Sequence, residues 1–252
     1  MVAHPVLIIA AVAEELTGLH KRLGQPSLGH KAARLMCRGH LAGTAVHLLE
    51  TGPGQINTAR ALTAYIESER PALVIQTGCA GGFDGAKLAL GDIGIASREI
   101  NAQWGIENPG EAPVVSPFSF NILKKGDAKI QDSYPMESEL VENTRFVLHQ
   151  AFAVTGVKVA VGPFITVSTI TASDTSAEKY YRKYRALMEN MEGAAAAHIC
   201  IHYGIPFLEI RSVSNRVGLR CKKMWDLPLA FRHGSRAVYT VVEAIGSGKI
   251  RI

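Results

Sequence analysis

The sequence has few cysteines and no long apolar run, and each shortage excludes a class of protein. Its four cysteines, Cys37, Cys79, Cys200 and Cys221, lie far apart and form no CxxC pair, which argues against a zinc module and against a disulfide framework. The longest apolar runs, such as residues 5–13, are too short to span a bilayer. The first residues have neither the basic start nor the long apolar region of a signal peptide. We therefore expect a cytoplasmic protein with no membrane partner.

Concentrated charge is also missing. Charged residues make up 19% of the chain and hydrophobic residues 47%, as is usual for a soluble enzyme and unlike a disordered tail. The formal net charge is +5, and the Lys and Arg residues are scattered, which predicts a weak attraction for an anionic small molecule and no nucleic-acid partner. The sequence contains no internal repeat and no linker, so we predict a single domain over residues 1–252.

Short β-branched runs alternate with amphipathic helical segments along the chain. We predict strands at residues 6–11, 46–50, 73–77, 92–96, 165–168 and 207–212, and helices at 14–23, 56–69, 137–154, 177–188 and 227–244. This pattern predicts an α/β fold with three α/β/α layers and a central mixed, mostly parallel sheet. The segment 101–135 is rich in Pro, Gly and polar residues, which predicts a functional lid, a subunit contact or a mobile insertion.

Two motifs are ambiguous when taken alone. The loop "TGPGQINTA" (residues 51–59) follows a strand and opens a helix, but Asn57 stands where a dinucleotide-binding turn has its third glycine, so we favour a structural turn. His198 and His202 are one helical turn apart, a spacing that can hold a metal. Because no third ligand is suggested, we interpret them as a helix-flank pair and predict no metal site.

Polar signals gather where predicted strands end. Glu14 and Glu15 follow the first strand, "TGCAGG" ends another, Glu192 precedes an alanine-rich helix, and Asn215 ends the strand after that helix. Alone, the first two acids would be interpreted as first-turn acids that complement a helix dipole. Because ligands bind at the carboxyl ends of strands in open parallel sheets, these signals together predict one site.

The same stretches carry a family resemblance. "AAVAEEL", "TGCAGG", "NMEGAAAAHIC" and "PFLEIRSVSN" resemble the successive motifs of the nucleoside phosphorylase and nucleosidase superfamily, from about residue 6 to about residue 245. The most similar branch contains the methylthioadenosine/S-adenosylhomocysteine nucleosidases and, within it, the futalosine hydrolases of menaquinone biosynthesis. The resemblance implies helices around a mixed sheet, a homodimer, no cofactor, and cleavage of the N-glycosidic bond of a small-molecule purine nucleoside.

The resemblance also implies roles for individual residues. Glu15 matches the acid that activates water, and Met191 with Glu192 matches the ribose-binding pair. Cys79 stands where the nucleosidases usually have Ser, and Asn215 where the adenine-specific enzymes have Asp. The predicted catalytic residues are Glu15 and Asn215; the predicted substrate-binding residues are Cys79, Ala80, Gly81, Met191, Glu192, Arg211 and Ser214.

The chemistry of the residue types agrees with these roles. Cleavage of an N-glycoside builds positive charge on the ribosyl ring, which carboxylates stabilise, and a vicinal diol offers two donors to a carboxylate such as Glu192. Water needs a base within reach, and Glu15 can serve. An acidic pair at this place repels phosphate, which favours hydrolysis over phosphorolysis. The amide of Asn215 can donate to O6 or N7 of hypoxanthine, although a helix N-cap is the alternative interpretation.

We therefore expect hydrolysis of futalosine to hypoxanthine and dehypoxanthine futalosine. The rivals are an aminofutalosine, methylthioadenosine or S-adenosylhomocysteine nucleosidase, a purine nucleoside phosphorylase, and a binding module without turnover. The carboxylate of the futalosine tail needs a cation, and the candidates that follow Asn215 are Arg216, Arg220, Lys222 and Lys223. A solvated basic loop is the alternative for this run.

Overall fold

The computed structural model of the chain describes residues 4–31, 33–125 and 128–252. Within these ranges the helices are α1 (Ala13–His20), α2 (Gln55–Ile66), α3 (Ser138–Phe152), α4 (Asp174–Tyr184), α5 (Gly193–Tyr203) and α6 (Leu227–Gly246). The strands are β1 (Val6–Ala10), β2 (Gly24–Lys31), β3 (Arg34–Leu41), β4 (Thr44–Glu50), β5 (Leu73–Gly82), β6 (Ile93–Asn101), β7 (Ile106–Glu107), β8 (Val115–Ser116), β9 (Leu123–Lys125), β10 (Ala128–Ile130), β11 (Ser133–Pro135), β12 (Val159–Thr166), β13 (Met188–Asn190) and β14 (Phe207–Arg216).

One large sheet organises the described part of the chain. Nine strands follow the order β11-β6-β12-β13-β5-β1-β4-β3-β2, and β14 pairs with both β5 and β6. The strands β5, β13, β12, β6 and β14 therefore close into a ring. The sheet is mixed, as predicted. Five strand pairings in it are parallel and five are antiparallel, so parallel pairing does not predominate among the described strands.

The core lies on both faces of the central strands. All five residues of β1 are buried, which is why its sequence is continuously apolar and does not alternate. Helix α6 contacts α1 and α3 as well as β5 and β14, whereas α2 contacts α5. The α/β fold is thus established, and the arrangement in three layers stays a prediction. None of the described helices is both long and apolar enough to cross a membrane.

The structure corrects several predicted elements. The helix predicted over residues 177–188 begins earlier, because the side chain of Ser173 caps it by accepting from the backbone N–H of Ser176 at 3.2 Å. The helix ends at Tyr184, where Arg185 adopts a left-handed conformation (φ 50°). Residues 185–188, predicted as the last turn of this helix, lie outside it, and strand β13 begins at Met188. The strand predicted at 165–168 is β12, which occupies Val159–Thr166.

The segment 101–135 contains more structure than a loop. Strand β7 pairs with β8, β9 pairs with β10, and β11 adds an antiparallel edge to β6. Ile106 and Phe120 expose about half or more of their surface. Residues 126–127 lie outside the described ranges, and the segment's roles as a lid or a subunit contact stay predictions.

Candidate active site

A cavity of about 230 Å³ lies where β1, β5, β13 and β14 end. All nine residues predicted to form the site line it: Glu15, Cys79, Ala80, Gly81, Met191, Glu192, Arg211, Ser214 and Asn215. The topology explains this meeting, because β1 and β14 both pair in parallel with β5 and so end at the same edge. The structure therefore brings the predicted residues together, while their roles stay predictions.

Glu15 is held rigidly by backbone donors. Two residues, Ala11 and Val12, separate β1 from helix α1. The Glu15 side chain turns back toward them, and its Oε2 accepts from the N–H of Ala11 at 3.0 Å and of Val12 at 3.3 Å. Its Oε1 accepts from the N–H of Cys79 at 2.9 Å. A carboxylate accepts about four hydrogen bonds, so these three leave about one position for a ligand or a water. A side chain in place of Gly78 would collide with this carboxylate.

Burial shifts the pKa of Glu15 and of its neighbour Cys79. Desolvation raises the pKa of Glu15 above its usual value, although the charge of Arg211 and the backbone donors oppose this effect. Burial, reinforced by the negative charge of Glu15, raises the pKa of the Cys79 thiol to about 12. Cys79 is therefore a neutral thiol at physiological pH, and its contribution to Glu15 is made through its backbone.

Glu192 lies at the start of α5 and has a different partner on each oxygen. Its Oε1 accepts from the backbone N–H of Gly54 at 2.9 Å, and its Oε2 accepts from Nη2 of Arg211 at 3.1 Å. Gly54 has a φ of 88°, a conformation that favours glycine. The loop that we interpreted as a structural turn therefore also contacts a site residue, which the sequence analysis missed.

We call the part of the cavity lined by Glu15, Glu192 and Arg211 its floor. Arg211 contacts both neighbours of this floor, the Glu192 carboxylate and the Cys79 backbone that also binds Glu15. Its guanidinium donates from Nε to Glu209 Oε1 at 2.7 Å and from Nη1 to the Cys79 carbonyl at 3.1 Å, in addition to its bond to Glu192. Burial alone would lower the pKa of Arg211, but the charges of Glu209, Glu192 and Glu15 outweigh it and raise the pKa. Arg211 is therefore a permanent buried cation that fixes the position of Glu192.

A pair of buried acids, Glu99 and Glu209, lies behind Arg211. Glu99 accepts from Thr166 Oγ1 at 2.7 Å and from Asn190 Nδ2 at 2.5 Å. Burial, and then the charge of Glu209, raise the pKa of Glu99 well above its usual value, which favours its protonated form. A side chain in place of Gly193 would collide with both acids. The glycine after Glu192 therefore allows α5 to begin against this pair.

The opposite side of the cavity is formed around Gly81. The ladder registers place Glu189 of β13 on one side of Gly81 and Asn215 of β14 on the other. Asn215 Nδ2 donates to the carbonyl of Arg216 at 3.0 Å, and Asn215 Oδ1 accepts from the Ser214 hydroxyl at 2.8 Å. The Asn215 side chain is therefore held by neighbours in its own strand and does not cap a helix in this structure.

The candidate cations after Asn215 differ in how they are bound. Arg216 pairs with Asp84 at 2.7 Å and with Asp174 at 3.0 Å, so its charge is already compensated. Arg220 lies over the ring of Trp225, 5.3 Å from the ring centroid, and Trp225 lines the cavity. Lys222 and Lys223 are exposed in a short 3₁₀ turn. Among these four residues, Arg220 is the cation that contacts the ring of a cavity-lining residue.

A second cavity of about 340 Å³ contains one of the two histidines discussed above. It is lined by Gln55, Ile56, Ala59, Asn101, Gln103, Trp104, Tyr134, Ser168, Ala194, Ala195, His198 and Ile199. His198 Nδ1 lies 3.2 Å from the hydroxyl of Tyr134, whereas His202 stacks edge-on against Tyr203. Over the ranges that the structure covers, no group of three or more His, Cys, Asp or Glu side chains is arranged to hold a metal ion.

The structure is that of an α/β protein with a ligand-sized cavity at the ends of its strands. Comparison with known proteins identifies its family. Residues 5–245 match the Phosphorylase superfamily, and the chain belongs to this superfamily. It is 31% identical over 229 residues to futalosine hydrolase of Thermus thermophilus, with 90% of this chain and 95% of the relative covered. It is 27% identical to the 5'-methylthioadenosine/S-adenosylhomocysteine nucleosidase of Chromohalobacter salexigens, with 96% and 98% covered.

A solved structure supports the fold assignment. The crystal structure of the 5'-methylthioadenosine/S-adenosylhomocysteine nucleosidase of Neisseria meningitidis, in complex with methylthio-immucillin-A, superposes with a TM-score of 0.80 at 22% identity. The superposition covers 96% of this chain and 99% of that chain. At this identity the likeness establishes the fold, and the individual site residues must be argued from their own geometry.

Proposed function

We propose that this chain hydrolyses the N-glycosidic bond of futalosine and releases hypoxanthine and dehypoxanthine futalosine, a step of menaquinone biosynthesis. The observation that carries the proposal is the geometry of Glu15: a buried carboxylate fixed by three backbone donors at the edge of the cavity. The relative from Thermus thermophilus supports futalosine as the substrate. The nucleosidases, at similar identity, support the same bond cleavage on other purine nucleosides.

In the proposed reaction Glu15 acts as the general base. Its remaining acceptor position takes a proton from water as the water oxygen bonds to C1′ of the ribosyl group. The electrons of the bond between C1′ and the purine leave with the purine, which takes up a proton from solvent as it departs, and Glu15 afterwards returns to solvent the proton that it took from water. Burial raises the pKa of Glu15, which makes it a stronger base than an exposed glutamate once it is ionised.

Glu192 is proposed to bind the ribosyl hydroxyls. Its two oxygens are fixed by Gly54 and Arg211, so its free lone pairs have a defined direction. A carboxylate can accept from both hydroxyls of a diol, and its negative charge stabilises the cationic ribosyl ring in the transition state. Met191 and Cys79 add apolar and neutral surface beside this position.

Hydrolysis is favoured over phosphorolysis by the charges at the cavity floor. A phosphate at the water position would face the carboxylates of Glu15 and Glu192, and Arg211 is already bound to Glu192 and Glu209. The positive charge of Arg211 is therefore already compensated by these two acids and does not attract a phosphate. A purine nucleoside phosphorylase is therefore the weaker alternative.

The identity of the base is proposed from Asn215. An amide can donate to O6 or N7 of hypoxanthine, whereas an ionised carboxylate at this place would face two acceptors. This argues for a 6-oxopurine and against an aminofutalosine, methylthioadenosine or S-adenosylhomocysteine nucleosidase, which must read a 6-aminopurine. Arg220, which lies over the ring of the cavity-lining Trp225, is the proposed partner of the futalosine carboxylate.

We also propose a cytoplasmic homodimer without a cofactor. Ile56 and Trp104 both line the second cavity and are exposed by 86% and 43%, respectively, and exposed apolar groups of this kind are typical of association surfaces. Analytical ultracentrifugation tests the oligomeric state: a monomer at micromolar concentration would contradict this part of the proposal.

One substrate comparison tests the activity. The purified protein is incubated with futalosine, aminofutalosine, methylthioadenosine and inosine, with and without phosphate, and the released bases are measured by chromatography. We expect hypoxanthine from futalosine at a rate independent of phosphate. Faster release of adenine would favour the 6-aminopurine nucleosidases, and a requirement for phosphate would favour a phosphorylase. Binding without release from any substrate would favour a binding module.

A further inference from the structure

The cavity contains one buried acid that the proposed reaction does not use. Glu189, the middle residue of β13, is 7% exposed and lines the cavity together with Asn215. Its carboxylate accepts from the backbone N–H of Thr171 at 3.1 Å and from the Thr171 hydroxyl at 2.5 Å. These bonds orient Glu189, and they come from one neutral residue.

The charge of Glu189 is uncompensated, in contrast with the other acids of the site. Glu192 and Glu209 both pair with Arg211, whereas no ion pair of the described residues includes Glu189. Burial raises the pKa of Glu189, and the two bonds from Thr171 oppose that effect. A buried carboxylate without a cation is costly unless a ligand donates to it, so the ligand side of Glu189 is where a donor is expected.

The sheet register gives the direction from which that donor comes. Glu189 is paired with Gly81 on one side of β5, and Asn215 is paired with the same Gly81 on the other side. Because neighbouring strands are about 4.8 Å apart, the backbones of the two residues are roughly 10 Å apart, on either side of a glycine without a side chain. Residues in register across a ladder point their side chains to the same face of the sheet, so Glu189 and Asn215 both face the cavity that they line.

We propose that Glu189 is a base-specificity residue that accepts a hydrogen bond from the N1–H of a 6-oxopurine while Asn215 donates to its O6 or N7 edge. A 6-oxopurine carries a proton on N1, whereas a 6-aminopurine has a lone pair there. An ionised carboxylate therefore attracts the first base and repels the second. Hydrogen bonds to a charged acceptor are about twice as strong as neutral ones, so Glu189 gives more discrimination than an amide could. The inference rests on the proposed function for the choice of a purine.

The test measures base binding, so that it does not depend on turnover. Hypoxanthine, adenine and 1-methylhypoxanthine are titrated by calorimetry into the wild type, Glu189→Gln, and the control Glu139→Gln, whose side chain is exposed on α3. A glutamine amide can accept from N1–H or donate to the N1 of adenine. We therefore expect the ratio of hypoxanthine to adenine affinity to fall roughly ten- to a hundredfold in Glu189→Gln, the range for one mispaired buried polar group. The control should keep the wild-type ratio.

The methylated base keeps the test valid if Glu189→Gln does not fold. In the wild type alone, 1-methylhypoxanthine lacks the N1 donor and should bind at least about tenfold more weakly than hypoxanthine. Equal binding of these two bases, or an unchanged affinity ratio in a folded Glu189→Gln, would overturn the inference.

A parallel futalosine assay separates the inference from the proposed function. If the altered affinity ratio is found in a protein that does not cleave futalosine, Glu189 reads the base and only the substrate assignment fails. If futalosine is cleaved but the ratio is unchanged, the proposed function stands and the inference about Glu189 is wrong.

Discussion

The two sides of the cavity are constructed differently. On the floor, Glu15 and Glu192 are tied to three distant parts of the chain, through the backbone of Cys79 and Gly54 and through the side chain of Arg211. On the opposite side, Asn215 is bonded to the adjacent residues Ser214 and Arg216. A side chain held by long-range contacts is positioned by several parts of the fold, whereas a side chain held by its own strand is positioned by that strand alone.

This difference suggests a division of labour. The floor, in our proposal, carries the chemistry that every nucleosidase needs, and the opposite side carries the choice of base. Positioned groups that stabilise transition-state charge are worth more than groups that bind substrate and transition state alike. Substitutions on the floor should therefore have larger effects on kcat, and substitutions on the base side should mainly change the ratio between substrates.

The largest effect is expected from Glu15→Gln. The amide keeps the shape of the side chain but cannot take a proton from water, so kcat should fall by roughly 10²- to 10⁴-fold while substrate still binds. Single-turnover kinetics with futalosine measure the chemical step. The matched control is Glu14→Gln, because Glu14 is exposed and adjacent. Near-normal activity of Glu15→Gln would remove its assignment and make Glu14 the next candidate.

The pH dependence sharpens the same assignment. Because burial raises the pKa of Glu15, and because only the ionised form can act as a base, kcat/KM should fall as the pH decreases through this raised value. The acid limb should therefore lie above the ordinary pKa of a glutamate, 4.5. The profile of kcat/KM reports the groups of the free enzyme. An acid limb at or below the ordinary value would contradict the role of the buried carboxylate.

A smaller but still large loss is expected from Glu192→Gln. The variant weakens the contact to the ribosyl diol and the charge stabilisation of the ring, which we expect to cost about 10²- to 10³-fold in kcat/KM, as for other transition-state contacts. The matched experiment uses 2′-deoxy substrate. If both changes remove one contact, their combined effect should be less than the product of the separate losses. Fully additive losses would show that Glu192 acts elsewhere.

A substitution at Asn215, on the side of the cavity proposed to bind the purine, should change the preference between substrates. In Asn215→Asp an ionised carboxylate would face O6 without a donor, so turnover of futalosine should weaken relative to aminofutalosine. The ratio of the two kcat/KM values should move roughly ten- to a hundredfold toward the 6-aminopurine, the cost of one mispaired buried group. Using a ratio removes any general damage to the fold. An unchanged ratio, or a shift toward the 6-oxopurine, would mean that Asn215 does not read the base.

The sequence predicted the strands whose residues form continuous apolar runs and missed those that are polar or very short. Continuous apolar runs such as Val6–Ala10 are buried on both faces, so their strand character and the polar residues at their ends were readable. The hairpin β2–β3 was missed, because β2 (Gly24–Lys31) is mostly exposed and polar and lacks a clear alternation. The three-residue strand β13 was missed because it is shorter than any periodicity can reveal.

The sequence analysis also did not predict the contacts between residues that are far apart in the chain. Nothing in the "TGPGQ" loop indicates that the N–H of Gly54 reaches Glu192, 138 residues further along the chain. The acid Glu209 has a partial signal, since it lies two residues before Arg211 and so on the same face of β14. Its partnership with Glu99 depends on the pairing of β14 with β6, which a local pattern does not contain.

The smallest effect is expected at the cavity rim. Arg220 stacks on Trp225 and is exposed, so a salt bridge from it to the futalosine carboxylate would contribute about 0.2–1 kcal/mol. Arg220→Ala should therefore raise KM for futalosine by up to about fivefold, and less at high salt, where surface charges are screened. Inosine lacks the tail carboxylate, so its kcat/KM should stay unchanged. Lys223→Ala is the matched control, because Lys223 is an exposed cation of the neighbouring turn. An equal loss for futalosine and inosine would show that Arg220 supports the cavity wall and does not bind the tail.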